Sequence, residues 1–439
     1  MDFKTMKQPN SSLRGFFMWF CAAIFYGFQF ILRVSPSVMA QDLMSSLAID
    51  ACTLGTIASF FYWGYTIMQI PAGLLLDVIG PKKPLILACT LCFLGALLFA
   101  GGQHISLLSL GRFLIGVGSA FGFLTCIRIA STWFSADKLA IFVGFTLAIG
   151  TAGGTSGGLP LALLIQATDW QTTIYILAGI SLVLAIIIWL MIADKAPSVE
   201  SLKENAGTKP TLSLGHITNS ILEIVRNPQT WFFGAYGFLM YIPLSGFADL
   251  WGVPYLMQAF NVDRAVAAGA LSTFYVGVGI GGPLWSWILT FLKSYRRAMI
   301  VSAIVTFLFL TIVIYTPHLP FSAVYSLFFI AGAASSGQFL AFASVTDLNS
   351  RDRAATASGV HNMLCMFSGI LMQPVIGAVL DLVWSGERIA GSPYYSLTDY
   401  HLALAIVPLS LILAGLCVLF IRETYPAPSV KNELLTQEG

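Results

Sequence analysis

What this chain has least of is charge. Only 10% of its 439 residues are Asp, Glu, Lys or Arg, 57% are hydrophobic, and the mean hydropathy is +0.82, whereas soluble domains carry about 25% charged residues. A water-soluble fold of this size has no means of hiding so much apolar surface. The net charge of +2 is too small to argue for nucleic acid or for an acidic macromolecular partner. Histidine is scarce, five in all. No His and Asp cluster with metal-ligand spacing occurs, no nucleophile has a base nearby, and no glycine-rich phosphate loop lies in a strand–helix context. These absences argue against a membrane-embedded enzyme such as a lipid or polyprenyl transferase, and no cofactor or metal is expected. The seven cysteines are scattered, mostly inside apolar runs, and read as small core hydrophobes.

Long apolar runs are abundant instead. A transmembrane helix needs about 20 apolar residues to cross a hydrocarbon core about 30 Å thick, and twelve such runs occur. Six lie at about 16–40, 54–76, 85–101, 107–133, 139–165 and 172–192, and six at about 231–260, 265–292, 298–315, 321–346, 354–384 and 402–421. The polar stretch 1–14 enters the first run with no small-residue cleavage site, so a retained signal anchor is expected. The pattern is read as an all-α membrane protein with twelve transmembrane helices in two pseudo-symmetric six-helix bundles, 1–193 and 230–439. A polar cytoplasmic linker, 194–229, joins them and carries a short surface helix at 212–225. Basic residues set the orientation, because basic loops stay in the cytoplasm. With the N-terminus inside, all but five of the 22 lysines and arginines fall in cytoplasmic segments, and both termini are cytoplasmic. Arg264 and Arg388 lie on the opposite side; Arg33, Arg112 and Arg128 lie within spans.

The halves repeat one another. Gly73 and Gly282, Pro160 and Pro374, and the segments beginning at Phe113 and Phe328 recur at offsets of about 209 to 215 residues, a construction common among secondary transporters. Helices 3, 6, 9 and 12 have no charge in their interiors and few amides, whereas the others hold the Arg, Gln, Asn and buried Asp residues. Every third helix is built for lipid, and the rest line something wet, since ionisable residues in a membrane face protein or a water-filled cavity.

Polar side chains form stripes at helical spacing. Tyr26, Gln29, Arg33 and Ser37 share one face of helix 1. Helix 2 offers Tyr62, Tyr65 and Gln69; helix 7 offers Tyr241, Ser245 and Asp249; helix 11 offers Asn362, Met366, Gly369 and Gln373. Any one stripe is equally read as hydrogen-bonding glue between helices. Together they give the candidate substrate-binding set: Arg33, Gln29, Tyr26, Tyr62, Tyr65, Tyr241, Asp249, Asn362 and Gln373. Arg33 stands out, because a fixed cation within a bilayer needs water, a counter-ion or a ligand, and its five donors suit a carboxylate or phosphate. Snorkelling to the outer headgroups is the alternative. Asp249 is its best-placed acidic partner, able to accept an amino group or carry a coupling proton. His361 and Asp347 are weaker proton candidates.

Two motifs carry gating roles. The segment Gly73-Leu-Leu-Leu-Asp77-Val-Ile-Gly80-Pro81-Lys82-Lys83 places a carboxylate at a helix end, a glycine for close helix approach, a second for a tight turn and a basic pair. Helix 4 contains Arg112-Phe-Leu-Ile-Gly116-Val-Gly118-Ser-Ala120, with Arg112 near enough to the outer face to snorkel. Arg128 lies about 24 Å further along and about 160° round an ideal helix. It is read either as the partner of Asp77 or as a substrate contact.

These two motifs resemble the signatures of the major facilitator superfamily, and the resemblance covers the whole chain. In that family the carboxylate of the first motif contacts the start of helix 11, here around Arg353 to Ala357, closing the cytoplasmic side in one state. FYGFQFILRVSPSVM, MQIPAGLLLD, RIASTWFSADKLA and FADLWGVPYL look like the phagosomal transporter family of intracellular bacteria, whose members import amino acids or nucleosides; a distant likeness to lysosomal dipeptide carriers is also present. Gln29 stands where an acidic residue is expected in that family. The antiporter-type glycine–proline signature of helix 5 is only partly present, which argues against drug efflux. The resemblance implies a secondary or facilitative transporter, working as a monomer in a bacterial inner (plasma) membrane by alternating access, with a lipid bilayer around it and a small polar solute, foremost an amino acid, as cargo, with protons as a coupling partner. Nucleoside, dipeptide, sugar and organic-anion carriers are the neighbouring readings, and a non-transporting sensor is the reading from another class.

Overall fold

The computed structural model describes residues 9–192, 222–349, 353–389 and 392–425. Among them are twelve long helical segments: α1 (Pro9–Leu47), α2 (Ala51–Ile79), α3 (Lys82–Gly101), α4 (Ile105–Trp133), α5 in two pieces (Ala136–Ser156 and Leu159–Ala167), α6 (Trp170–Met191), α7 (Pro228–Phe260), α8 (Arg264–Leu292), α9 (Tyr295–Tyr315), α10 (Phe321–Asp347), α11 (Ala354–Val383) and α12 (Leu397–Val418). Eleven are long and apolar enough to cross a membrane. The twelfth, α2, has the length, 29 residues, but is diluted by Tyr62, Trp63, Tyr65 and Gln69. Most of the expected linker, and most of the surface helix expected at 212–225, lie outside the described residues.

Helix ends follow local chemistry. Asp50 caps α2 by accepting from Thr53 N at 2.8 Å, Asp169 caps α6 through Thr172 N at 2.8 Å, and Ser396 with Asp399 forms a capping box at α12. Gly80 ends α2 with φ +85°, a conformation that favours glycine, so the tight turn expected there is present. One helix interruption falls where the sequence removes side chains and a donor. α5 breaks at Gly157 and Gly158 before Pro160, and α4 is interrupted at Ala120. In α7 the segment Pro243–Trp251 is wound as a π-helix.

Within one half α3 packs on α4 and α6, and α1 on α5; within the other α8 packs on α10, α7 on α11, and α9 on α10 and α12. The halves meet along α2 and α11, α5 and α8, and α1 and α7. α6 and α12 turn large apolar side chains outward, among them Val183, Trp189, Leu190, Leu409 and Leu416, a belt that only lipid can cover. A two-residue hairpin, Arg388–Ile389 with Ser392–Pro393, lies between α11 and α12. Cys89 and Cys92, one turn apart on α3, are buried, and Cys92 Sγ donates to Ile115 O at 3.7 Å.

Candidate functional site

Between α1 of one half and α7 of the other lies a cation withdrawn from water. Arg33 is 5% exposed and is therefore no snorkelling residue. Its Nε donates to Asp249 Oδ2 at 2.7 Å, with Nη2 also 2.7 Å from that oxygen, and Nη2 donates to the hydroxyls of Tyr62 at 2.9 Å and Tyr241 at 2.8 Å. The rings of Phe30, Tyr62 and Tyr241 stand 5.2 to 5.5 Å from the guanidinium carbon, within cation–π range. Asp249, 1% exposed, also accepts from the hydroxyls of Tyr62 and Tyr275, the latter at 2.5 Å. The charges are thus neutralised and hydrogen-bonded, the condition for burying either one.

A proline interrupts the hydrogen-bond ladder of the helix that carries Arg33. Pro36 lies inside α1 and has no N–H, so the carbonyl four residues earlier, that of Leu32, loses its helical donor. Two side chains supply replacements: Ser35 Oγ donates to Leu32 O at 3.0 Å, and Arg112 donates from Nη1 to Leu32 O at 2.6 Å and from Nη2 to Arg33 O at 3.1 Å. Arg112 is 1% exposed, so the expectation that it snorkels is corrected. The cause is that two carbonyls of α1, those of Leu32 and Arg33, and the faces of Phe61 and Phe99, 5.2 and 5.9 Å away, solvate it from inside.

Asp249 is held with equal care. It belongs to the π segment, a winding found mostly at functional sites, and α11 stitches that segment in place. Gln373 Nε2 donates to Ser245 O at 2.8 Å, Trp251 Nε1 donates to Gln373 O at 3.0 Å, and the hydroxyls of Ser245 and Ser368 are 2.8 Å apart. Gln373, expected at the substrate, thus commits its amide donor to shaping the helix that carries Asp249.

The other expected residues divide between this centre and one end of the bundle. Tyr26 packs edge-on to Phe30 at 5.3 Å, in space left by Gly122 and Gly150. Gln29 is buried, and its Oε1 has no partner among the described residues. Asn362 donates to Gln69 at 3.1 Å across the halves, and Tyr65 lies one turn before Gln69 with its ring stacked on Phe61. Gly73, Asp77, Gly80, Lys82, Lys83 and Arg128 gather at the end where α2 turns into α3. There Arg128 pairs with Asp77 at 3.4 Å, both about half exposed. Among the described residues Arg128 meets Asp77, not the central cluster. Gly73, expected to permit a close helix approach, faces open space, because the halves have parted there: a Cβ would meet nothing within 4 Å. Tyr275 was not anticipated; the spacing of Ser272 and Tyr275 on α8 was the available signal.

The openings define a state. At the basic end Gly73 of α2, Gly144 of α5, Gly282 of α8 and Gly359 of α11 all face empty space. Towards the other end a Cβ on Gly55 or Gly377 would strike the backbone of the facing helix at 2.4 or 2.3 Å, and one on Gly154 would strike the ring of Tyr275. The bundle is splayed at its basic end and sealed at the far end, with Arg33 and Asp249 between.

A model of the Major Facilitator Superfamily matches residues 18–253 and 250–437. Among curated proteins, a hexuronate transporter of Bacillus subtilis (strain 168) is 24% identical over 370 residues, 80% of this chain and 84% of that protein. A probable hexose phosphate transport protein of Chlamydia pneumoniae is 22% identical over 401 residues, 86% and 87% of the two chains. Among solved structures, a bacterial homolog of the human lysosomal transporter Spinster, inward-facing and unoccupied, superposes with a TM-score of 0.72 at 15% identity, covering 95% of this chain and 96% of that one.

Proposed function

This chain belongs to the Major Facilitator Superfamily and is an integral membrane transporter, and we propose that its cargo is a small organic anion bearing a carboxylate, recognised by Arg33. The observation that carries this reading is a buried guanidinium, shared between the two halves, whose one charged partner among the described residues is a single carboxylate. An incoming carboxylate offers Arg33 the same geometry that Asp249 offers, so exchanging one for the other is nearly balanced in energy. That suits a carrier, which must release what it binds. The named solutes of the B. subtilis and C. pneumoniae relatives, hexuronate and hexose phosphate, are both anions and support the class.

Displaced from Arg33, Asp249 keeps the hydrogen bonds donated by the Tyr62 and Tyr275 hydroxyls. A second reading, an amino acid, is favoured by the adjacency of Arg33 and Asp249: the carboxylate takes the guanidinium and the ammonium takes Asp249. In either case the basic end faces the cytoplasm of a bacterial cell, with the protein in its inner membrane, because Lys82, Lys83, Arg296 and Arg297 lie there. Both halves of the site come from one chain, so the monomer is the working unit.

Counterflow in proteoliposomes tests the proposal, with labelled glucuronate and a panel of labelled amino acids. Wild type is expected to exchange glucuronate, and Arg33→Lys to lose roughly tenfold or more of its apparent affinity. Exchange of amino acids alone would select the second reading. Unchanged exchange in Arg33→Ala would remove Arg33 from the site, and binding without exchange would identify a sensor.

A further inference from the structure

α2 and α11 run antiparallel across the interface of the halves. Ala51 lies against Gly377, Gly55 against Gln373 and Tyr62 against Gly369, and Gln69 bonds Asn362. Each helix contains one acidic residue, and each sits two positions before the helix's last residue: Asp77 in Ala51–Ile79 and Asp381 in Ala354–Val383. At the sealed end Asp381 is in use. Its Oδ1 and Oδ2 accept from the backbone N–H groups of Ala51 at 3.2 Å and Cys52 at 2.7 Å, the first two residues of α2. Tyr395, from the loop after α11, donates its hydroxyl to Asp381 and accepts from Ala51 N at 3.1 Å. A carboxylate thus caps the positive, donor-rich start of a helix in the other half.

The same register places Asp77 opposite the first turn of α11, with Gly73 opposite Gly359. Both of those glycines face open space, and Asp77 is held by Arg128 of its own half. We propose that Asp381 and Tyr395 form the latch that closes the far end, and that Asp381 is the mirror counterpart of Asp77. Each of the two helices carries at its C-terminal end a carboxylate that caps the N-terminus of the other, one contact at each membrane face, and one is made where the other is broken. The fork from Arg264 to Asp42, with Nη1 and Nη2 at 2.7 and 2.8 Å from the two carboxylate oxygens, joins α8 to α1 at the same end and adds to the seal. This assignment does not depend on which solute is carried.

Pulsed electron–electron spin resonance on the full chain in liposomes tests it, with spin labels at Ser46 and Ser385, exposed positions on opposite halves at the sealed end, after replacement of the native cysteines. Losing one capping contact shifts a two-state equilibrium by roughly five- to thirtyfold. Asp381→Asn is therefore expected to raise the ratio of long-distance to short-distance populations by about that factor. Tyr395→Phe is expected to move it the same way by less, and Asp77→Asn to move it the opposite way. An unchanged distribution in Asp381→Asn overturns the proposal, as does a shift of the same sign in Asp77→Asn. Should Asp381→Asn fail to fold, Tyr395→Phe and Asp77→Asn still decide by the sign of their effects.

Discussion

Removing the charge of Asp249 while keeping its shape is the sharpest test of the central cluster. In Asp249→Asn the Arg33 guanidinium remains buried with two tyrosine hydroxyls and no counter-ion. The pair is shielded, with side chains 5% and 0% exposed. Unit charges about 4 Å apart at an effective dielectric constant near 20 attract by about 4 kcal/mol, and breaking one side of a buried pair costs about 3–5 kcal/mol by experience with other proteins. The two routes agree, so Asp249→Asn is expected to lose about 3–5 kcal/mol of stability. The double variant Arg33→Met, Asp249→Leu removes both charges, and with them the desolvation cost, so it should fall within about 1 kcal/mol of wild type. Equilibrium unfolding in mixed detergent compares wild type, Asp249→Asn and the double variant, and counterflow on the same samples separates stability from transport. The double variant should be stable and unable to exchange solute. The reasoning is refuted if Asp249→Asn costs less than about 1 kcal/mol, or if the double variant is no more stable than the single one.

Arg112→Met should cost about 1.5–3 kcal/mol, the range for hydrogen bonds to a charged group, and Pro36→Ala in that background should recover part of it by returning an N–H to Leu32 O; a cycle with no coupling would show that Arg112 does not serve the carbonyl that Pro36 deprives of its helical donor. Gly369→Ala drives a Cβ to 2.5 Å from the Tyr62 ring and should weaken solute affinity in a binding assay, whereas Gly73→Ala, which meets nothing, should leave thermal stability unchanged. Glu423 is pushed up by burial but held below its ordinary value of 4.5, because hydrogen bonds from the Ser294 hydroxyl and from the backbone N–H groups of Tyr425, Arg296 and Tyr295 outweigh it. A depressed carboxyl contributes stability above its unfolded value and loses it as pH falls through the folded one. Wild type should therefore exceed Glu423→Gln in melting temperature above about pH 4.5, and the gap should close below it.

Reading the helices from sequence was straightforward because a bilayer permits little else: a backbone in hydrocarbon must satisfy its own hydrogen bonds. The pairing of Arg33 with Asp249 was legible for a related reason, since an unscreened charge there has to meet its opposite. What stayed hidden depended on contacts between distant segments. Pro36 announces an orphan carbonyl at Leu32, but nothing in the sequence says that a residue 80 positions on joins the nearby Ser35 hydroxyl in donating to it. Gln373 and Asn362 share a stripe of α11, yet one shapes α7 and the other reaches Gln69 of the opposite half. The π winding of Pro243–Trp251 has no local sign beyond its leading proline, and it is fixed by bonds from α11. Tyr275 was missed because α8 shows one aromatic hydroxyl among glycines, too short a pattern to read as a stripe.

The location of the ion pair also constrains how solute and gate communicate. Arg33 and Asp249 lie on opposite halves, so their bond is itself a tie between the halves, made at the level about which both ends must swing. A ligand shifts a conformational equilibrium only by the difference in its affinity for the two states. A carboxylate that replaces Asp249 on Arg33 provides such a difference: it takes the charged partner of one half and leaves that of the other without its cation, exchanging a fixed strap for a ligand that reaches both walls. On the proposed function, the empty carrier keeps its strap and its far-end latch, and only the loaded one has had its central tie replaced. Binding and closure are then coupled through the same two side chains, with no separate relay between site and gate.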